Sequence, residues 1–251
     1  MNPTLETKQS KSIKYGDIIQ LGNQLLVCGD ARDATLIDQI FEDRKINLIL
    51  TDPPYGVDVV WSKLKFKELC KSKDIQNDGL CTDAEYIKFT KDWLSPALPH
   101  LTKKNSIYIF NADKMVFALR EAMVQLKVKV SQLLVWVKDR AVIGRLDYLP
   151  QHELIAYGWF GTHDFKRLQS KSVLCFPKPH KNELHPTMKS MPLLRNLILN
   201  SSDIDDVIYD PFAGSGSLLI ACEQTKRRSV CFEIDIEYCQ TIIDRYNKLI
   251  S

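Results

Sequence analysis

The feature that most constrains this chain is an alternation of two hydrophobic periods. Short apolar runs at 25–28, 46–50, 106–110, 132–137, 154–157, 207–209 and 229–232 are rich in branched and aromatic residues and bounded by polar or turn residues. Such runs read as buried strands. Between them lie segments of helical period. In 82–98, Tyr86, Phe89, Trp93, Leu94 and Ala97 share a face, and Thr82 with Glu85 has the pattern of a capping box. In 112–126 the face is Met115, Val116, Leu119, Ala122, Met123 and Leu126, and in 236–250 it is Cys239, Ile242, Ile243, Tyr246 and Leu249. Strands alternating with helices of this length imply βαβ units, hence an α/β fold with a doubly wound, mostly parallel sheet.

Nothing divides that fold. No proline- or glycine-rich linker, repeat or low-complexity tract interrupts the 251 residues, and 45% hydrophobic against 26% charged residues suits one soluble globular domain over 1–251. No apolar run reaches membrane-spanning length, and 1–12 lacks the apolar stretch of a signal peptide, so the expected location is the cytoplasm. The seven cysteines are scattered, with no Cys-x-x-Cys pair, which suits buried thiols better than a disulfide framework. His180 and His185 have no cysteine pair beside them, so no metal is expected.

Two stretches fit neither period, 57–81 and 160–184. Each is a connection of roughly 25 residues, far longer than ordinary α/β loops, and such loops are commonly functional or mobile. Net charge is only +3, but it is unevenly spread: Lys63, Lys65 and Lys67 fall in the first stretch, Lys166, Arg167 and Lys171 in the second, and both hold aromatics. Basic residues interleaved with aromatics can hold phosphates and stack bases, while a solvated lysine-rich surface has the same composition.

Ligands of open α/β sheets sit at the carboxyl ends of the strands. Two strand ends stand out. After 207–209 comes Asp210-Pro211-Phe212-Ala213-Gly214-Ser215-Gly216-Ser217, a glycine turn running into an apolar helix. Its glycines let backbone approach a ligand, and the helix start offers amide donors. It lacks the ending of a P-loop and the third glycine of a dinucleotide fold, so ATP and NAD are poorly supported. The next strand ends in Glu233-Ile234-Asp235, where an acid can hold ribose hydroxyls. After 46–50 comes Thr51-Asp52-Pro53-Pro54-Tyr55-Gly56. Its two prolines rigidly present a carboxylate, a backbone carbonyl and an aromatic face. A planar amino group needs those three partners, two acceptors for its hydrogens and a ring to stack on its heterocycle.

As a set these motifs resemble the S-adenosylmethionine-dependent DNA amino-methyltransferases. Thr51 to Gly56 is similar to their catalytic motif and Asp210 to Ser217 to their cofactor loop. The order, catalytic motif first, resembles the permuted β class. The likeness extends to Gly29-Asp30-Ala31, to 106–110, 134–138 and 144–148, to His185-Pro186-Thr187-Met188-Lys189 and to Glu233-Ile234-Asp235; Ser190 stands where relatives often have proline.

The resemblance implies a class I methyltransferase fold and a catalytic group of Asp52, Pro53, Pro54 and Tyr55. Asp52 and the Pro53 carbonyl would accept the target amino hydrogens while Tyr55 stacks on the base. S-adenosylmethionine would be held by Asp30 at its adenine, Glu233 at its ribose, Phe212, Gly214 and Gly216 around its methionine part, and Lys189 with Thr187 at its carboxylate, with Asp210 also among the cofactor-binding residues. The implied activity is adenine N6 methylation of double-stranded DNA with the base flipped out, 57–81 acting as a mobile loop and 160–184 as a small recognition segment. Cytosine N4 methylation uses the same geometry, though those relatives more often carry serine in place of Asp52. A binding protein that kept the fold without turnover is the reading from another class. A homodimer and a cognate restriction nuclease are partners the resemblance leaves open. Methyl donor and acceptor must meet, so the strand ending at Asp210 is expected beside the strand ending at Thr51.

Overall fold

The computed structural model describes residues 13–54, 82–141, 147–163, 165–167, 170–178 and 189–251. In chain order its strands are β1 (Ile18–Leu21), β2 (Gln24–Cys28), β3 (Ile46–Thr51), β4 (Leu101–Asn111), β5 (Lys129–Val137), β6 (His152–Trp159), β7 (Thr162–His163), β8 (Val173–Cys175), β9 (Val207–Asp210) and β10 (Arg228–Glu233). The helices are α1 (Ala34–Phe41), α2 (Asp83–Leu94), α3 (Val116–Gln125), α4 (Met191–Ser201), α5 (Ser217–Thr225) and α6 (Ile236–Ile250). Every strand and helix expected from periodicity is present, with shifted bounds.

Local chemistry explains the helix starts. Thr82 Oγ1 accepts from the Glu85 amide at 3.3 Å and Glu85 Oε2 accepts from the Thr82 amide at 2.8 Å, which completes the capping box of α2. Asp33 caps α1 by accepting from the Leu36 amide, and Asp235 caps α6 by accepting from the Glu237 and Tyr238 amides. Each such cap is worth about 1 kcal/mol. Pro96 and Pro99 turn the end of the 82–98 segment into a 3₁₀ helix, Ser95–His100, because a proline ring cannot continue the α-helical ladder.

The sheet order is β1-β2-β10-β9-β3-β4-β6-β5-β8, with β7 pairing the start of β4. From β2 through β10, β9 and β3 to β4 all pairings are parallel, whereas β6 runs antiparallel to both β4 and β5. β9 lies beside β3 as expected, with Leu48 opposite Ile208 and Ile49 opposite Tyr209. Side chains alternate between the two faces of the sheet. Ile49, Tyr209 and Phe232 pack with Phe41, Trp93 and Leu119 beneath α1 to α3. Leu48, Leu50 and Ile208 pack with Leu197, Leu218 and Ala221 beneath α4 and α5. Leu26 and Cys231 meet Ile242 and Tyr246 of α6. Trp93 is fully buried at the centre of the first core, and truncating it to alanine would cost about 3–5 kcal/mol.

This topology fixes where a site can form. From β3 the chain passes through α2 to β4 on one side, and from β9 through α5 to β10 on the other. β3 and β9 are adjacent, so the crevice beyond their carboxyl ends is the switch point of the sheet.

Five elements were not read in the sequence. β1 is short and edge-lying, α1 has only eight residues, and α4 opens on Met191-Pro192 with no side-chain cap. β7 and β8 lie within 160–184, where no period was visible. They are two and three residues long, too short to show one.

Candidate active site

Carboxylates line the carboxyl edge of the sheet. β2 runs into Asp30, β10 ends at Glu233, β9 at Asp210, and β3 at Thr51 followed by Asp52. The two central strands are tied together at their tips: Thr51 Oγ1 donates to Asp210 Oδ1 at 2.7 Å in a buried bond. The same oxygen accepts from the Phe212 amide at 3.1 Å, which turns the chain out of β9.

The loop after β9 is pinned to its neighbours. The Ala213 amide donates to the Phe232 carbonyl at 2.9 Å, the Gly214 amide to Glu233 Oε2 at 2.8 Å, and Arg245 from α6 to the Ser215 carbonyl. Gly214 and Gly216 have φ of 53° and 76°, left-handed values that glycine adopts without strain. Their reasons differ. A Cβ on Gly216 would stand 2.8 Å from Ile242 Cγ1, so this glycine lets α6 pack closely on the turn. A Cβ on Gly214 would meet nothing within 4 Å among the described residues, so this turn leaves open space beside its backbone. Phe212 is packed edge-on against Trp93 at 5.4 Å and tilted against Phe89 at 5.8 Å, which anchors the loop to α2.

Asp210 and Glu233 are buried with neutral donors. Burial pushes the Asp210 carboxyl up to about 7 against the pull of the Thr51 hydroxyl and the Phe212 amide, and nearby Asp52 adds to the rise. Glu233 is likewise pushed up to about 7 by burial, opposed by the Asp235 and Gly214 amides. Both acids thus lie where a positive ligand would stabilise their charged form.

Asp52 lies in a different setting. Its Oδ2 is 2.7 Å from Lys189 Nζ, which also meets Glu153 Oε2 at 2.7 Å, and Glu153 Oε1 in turn holds Lys138 Nζ at 2.6 Å. The Lys189 ammonium lies 4.8 Å from the Phe110 ring centre and 5.8 Å from that of Trp136. Burial alone would raise the Glu153 carboxyl, but Lys189 and Lys138 overcome it and hold the group down at about 2. Burial also works against the Lys189 charge, yet Asp52 and Glu153 raise its pKa above the ordinary lysine value. Glu153 is not singled out in the sequence, and Lys138 closes the 134–138 stretch there without a site role. The signal that could have found them is a pair of oppositely charged residues at the ends of apolar strands, where charge has to be partnered.

The cofactor-binding candidates are distributed along this edge. Asp30 is engaged by Arg32 through both carboxylate oxygens, and Tyr15, Asp30, Arg32, Asp33, Asp92 and Ser95 line an open depression beside it. Burial opposes the Asp30 charge, but the bonds from Arg32 hold its carboxyl below the usual range. Lys189, expected at a cofactor carboxylate, has its ammonium on Asp52 and Glu153. Tyr55, Thr187 and the lysines Lys63, Lys65 and Lys67 lie outside the described residues, as does the whole of 57–81. Lys166, Arg167 and Lys171 are exposed on the segment between β7 and β8, and Lys166 also pairs with Asp203 at 2.6 Å. Among the described residues, no group of three metal-ligating side chains comes together and no helix is long and apolar enough to cross a membrane.

Comparison with known proteins agrees with this geometry. A family model described as DNA methylase, covering N6 and N4 methylases, matches residues 46–244. Type II methyltransferase M.HpaI of Haemophilus parainfluenzae is 27% identical over 250 residues, covering 89% of this chain and 74% of that protein. Type II methyltransferase M2.MboI of Moraxella bovis is 24% identical over 231 residues, covering 83% of each. Among solved structures, the complex of M1.HpyAVI with S-adenosylmethionine superposes with a TM-score of 0.64 at 21% identity, covering 88% of this chain and 98% of that one. PvuII DNA methyltransferase, described as cytosine-N4-specific, gives 0.69 at 14% identity, covering 92% and 94%. The sheet, its switch point and the helices on both faces are therefore those of the Rossmann-like class I methyltransferase fold. With the family model spanning both the Asp52 strand end and the glycine loop, this chain belongs to the N6/N4 DNA methylase family of S-adenosylmethionine-dependent methyltransferases.

Proposed function

We propose that the chain is a site-specific DNA adenine N6-methyltransferase of the permuted β class, acting on an adenine flipped out of double-stranded DNA. The observation that carries this reading is the meeting, at one switch point, of Asp52-Pro53-Pro54 after β3 and the Gly214 loop after β9, joined by the Thr51–Asp210 bond. An exocyclic amino nitrogen shares its lone pair with the ring and is a poor nucleophile. Asp52 and the Pro53 carbonyl, accepting its two hydrogens, favour a tetrahedral nitrogen with a localised pair, while Pro54 stiffens the turn and Tyr55 stacks on the base. Extracting the base costs a few kcal/mol, which such contacts offset.

When bound, S-adenosylmethionine supplies an activated methyl group. The open backbone at Gly214 and the buried acids Asp210 and Glu233 fit its methionine and ribose parts, and Asp30 at the end of the edge fits its adenine amino group. Thr187 and Lys189 are assigned to its carboxylate, Lys189 sharing its charge with Asp52. Phe212 and Gly216 act by shaping the loop. We assign phosphate contacts to Lys63, Lys65, Lys67, Lys166, Arg167 and Lys171, and target recognition to 160–184.

A second reading, cytosine N4 methylation, is favoured by the 0.69 superposition on the PvuII enzyme, since the fold serves that chemistry as well. Asp52 supports adenine, because the N4 enzymes this family resembles more often have serine there. Incubating unmethylated genomic DNA with labelled S-adenosylmethionine, then digesting it to nucleosides for mass spectrometry, decides between them. Label in N6-methyl-2′-deoxyadenosine is the expected result, and label only in N4-methyl-2′-deoxycytidine would overturn the substrate while leaving the amino-group chemistry intact.

A further inference from the structure

Four charged groups alternate in sign along the carboxyl edge: Asp52, Lys189, Glu153 and Lys138, in contacts of 2.7, 2.7 and 2.6 Å. A buried ionic network is a poor way to gain stability, because apolar residues of similar volume usually do as well or better. Its presence beside the catalytic strand end therefore calls for a positional reason.

The anchor of the row is rigid. Lys138 follows β5, and its amide donates to the Gln151 carbonyl at 2.8 Å while Gln151 Nε2 donates to the Lys138 carbonyl at 2.9 Å. Glu153 lies opposite Trp136 in the antiparallel register of β5 and β6. Both members thus sit on a hydrogen-bonded strand pair. Lys189, by contrast, has a flexible four-carbon stem that a single carboxylate would leave free to swing. Glu153 supplies the second carboxylate, and the Phe110 and Trp136 rings close the space around the ammonium.

We propose that Glu153, anchored by Lys138, is a positioning residue for methyl transfer: it holds Lys189 against Oδ2 of Asp52 and so fixes how that carboxylate meets the target amino group. The inference rests on the catalytic reading of Asp52. Because Glu153 acts through Lys189, its loss misorients Asp52 without removing a group that touches substrate.

The test uses the full chain, labelled S-adenosylmethionine and unmethylated genomic DNA. Glu153→Gln leaves Lys138 buried without its anion, so thermal unfolding should show a loss of stability; Glu153→Gln/Lys138→Met removes one charge of each sign and should regain it. In both variants the single-turnover rate at saturating cofactor and DNA should fall about 100-fold, the scale of a 1 Å misplacement at a reacting centre, with cofactor affinity by calorimetry unchanged. A stable double variant that transfers methyl at the native rate would overturn the proposal and leave Glu153 a structural partner of Lys138. A native saturated rate with weakened cofactor binding would also overturn it, and would mean that Glu153 serves Lys189 at the cofactor carboxylate and not Asp52. Asp52→Ala, assayed in parallel, separates the two readings: if it keeps the native rate, the catalytic assignment itself fails, whatever Glu153 does.

Discussion

The two walls of the crevice use the same side chains in opposite ways. On the Asp52 wall each carboxylate faces an ammonium, and Glu153 is held at about 2. On the glycine-loop wall, the partners of Asp210 and Glu233 among the described residues are amides and a hydroxyl, and both acids are pushed up to about 7. The first wall carries its own counter-charge. The second is short of positive charge, which a cationic methyl donor would bring. Burial is common to both, so partner chemistry decides which acids stay ionised.

The sharpest way to break this contrast is Asp52→Ala. We expect methyl transfer to fall by about 10³-fold or more while calorimetry shows cofactor binding nearly intact, since the loss of a positioned acid–base or polar group costs on this scale. Equal loss of cofactor binding would mean that the two walls do not divide the work.

The next effect is on stability against pH. Asp210 and Glu233 have folded values near 7 against ordinary values of 3.8 and 4.5, so the folded chain binds more protons than the unfolded one between those limits. Stability of the unliganded protein should therefore fall as pH rises from about 4 to about 7. The Glu153 network has the opposite sign: its contribution is present above the ordinary glutamate value of 4.5 and lost as pH falls toward about 2. Thermal unfolding across pH measures both slopes. Asp210→Asn, which keeps an oxygen for Thr51 and Phe212, should flatten the first slope, raise the melting temperature at pH 8 and weaken cofactor binding by about 1.5–3 kcal/mol.

Thr51→Val sharpens the comparison at the seam between the walls. It removes the donor to Asp210 without changing side-chain volume much, and should cost about 1–3 kcal/mol of stability in denaturant unfolding. The smallest effect lies outside the crevice. Replacing Lys166, Arg167 or Lys171 singly should lower the salt dependence of DNA binding by about one unit and weaken binding to all sequences alike. An unchanged slope would return these residues to a solvated surface.

How much of this was legible follows from what each feature depends on. Thr82 with Glu85, the strands ending at Thr51, Asp210 and Glu233, and the Gly214 turn are local patterns, and each is found where its own residues put it. The adjacency of β3 and β9 was legible only through function, because donor and acceptor must meet. Opposite charges at strand ends hint at Lys138 and Glu153, but their link to Asp52 through Lys189 was not legible, since these residues lie after β5, on β6 and in a later segment and meet only through the β4-β6-β5 register. Gly216 shows the same limit. Its glycine reads as ligand approach in sequence, but the packing of Ile242 explains it.

The sheet order also has a consequence for synthesis. β9 and β10 fill the gap between β2 and β3, yet the end of β9 comes 159 residues after the end of β3 and β10 follows later still. A nascent chain ending before Val207 has the β1–β2 pair on one side and β3 with β4 on the other, with two strands missing between them. Such late, non-local pairing is slow and leaves strand edges open to other chains until it completes. The crevice is therefore assembled last, and a ribosome-bound or truncated chain of this kind has no place to bring a methyl donor and a base together.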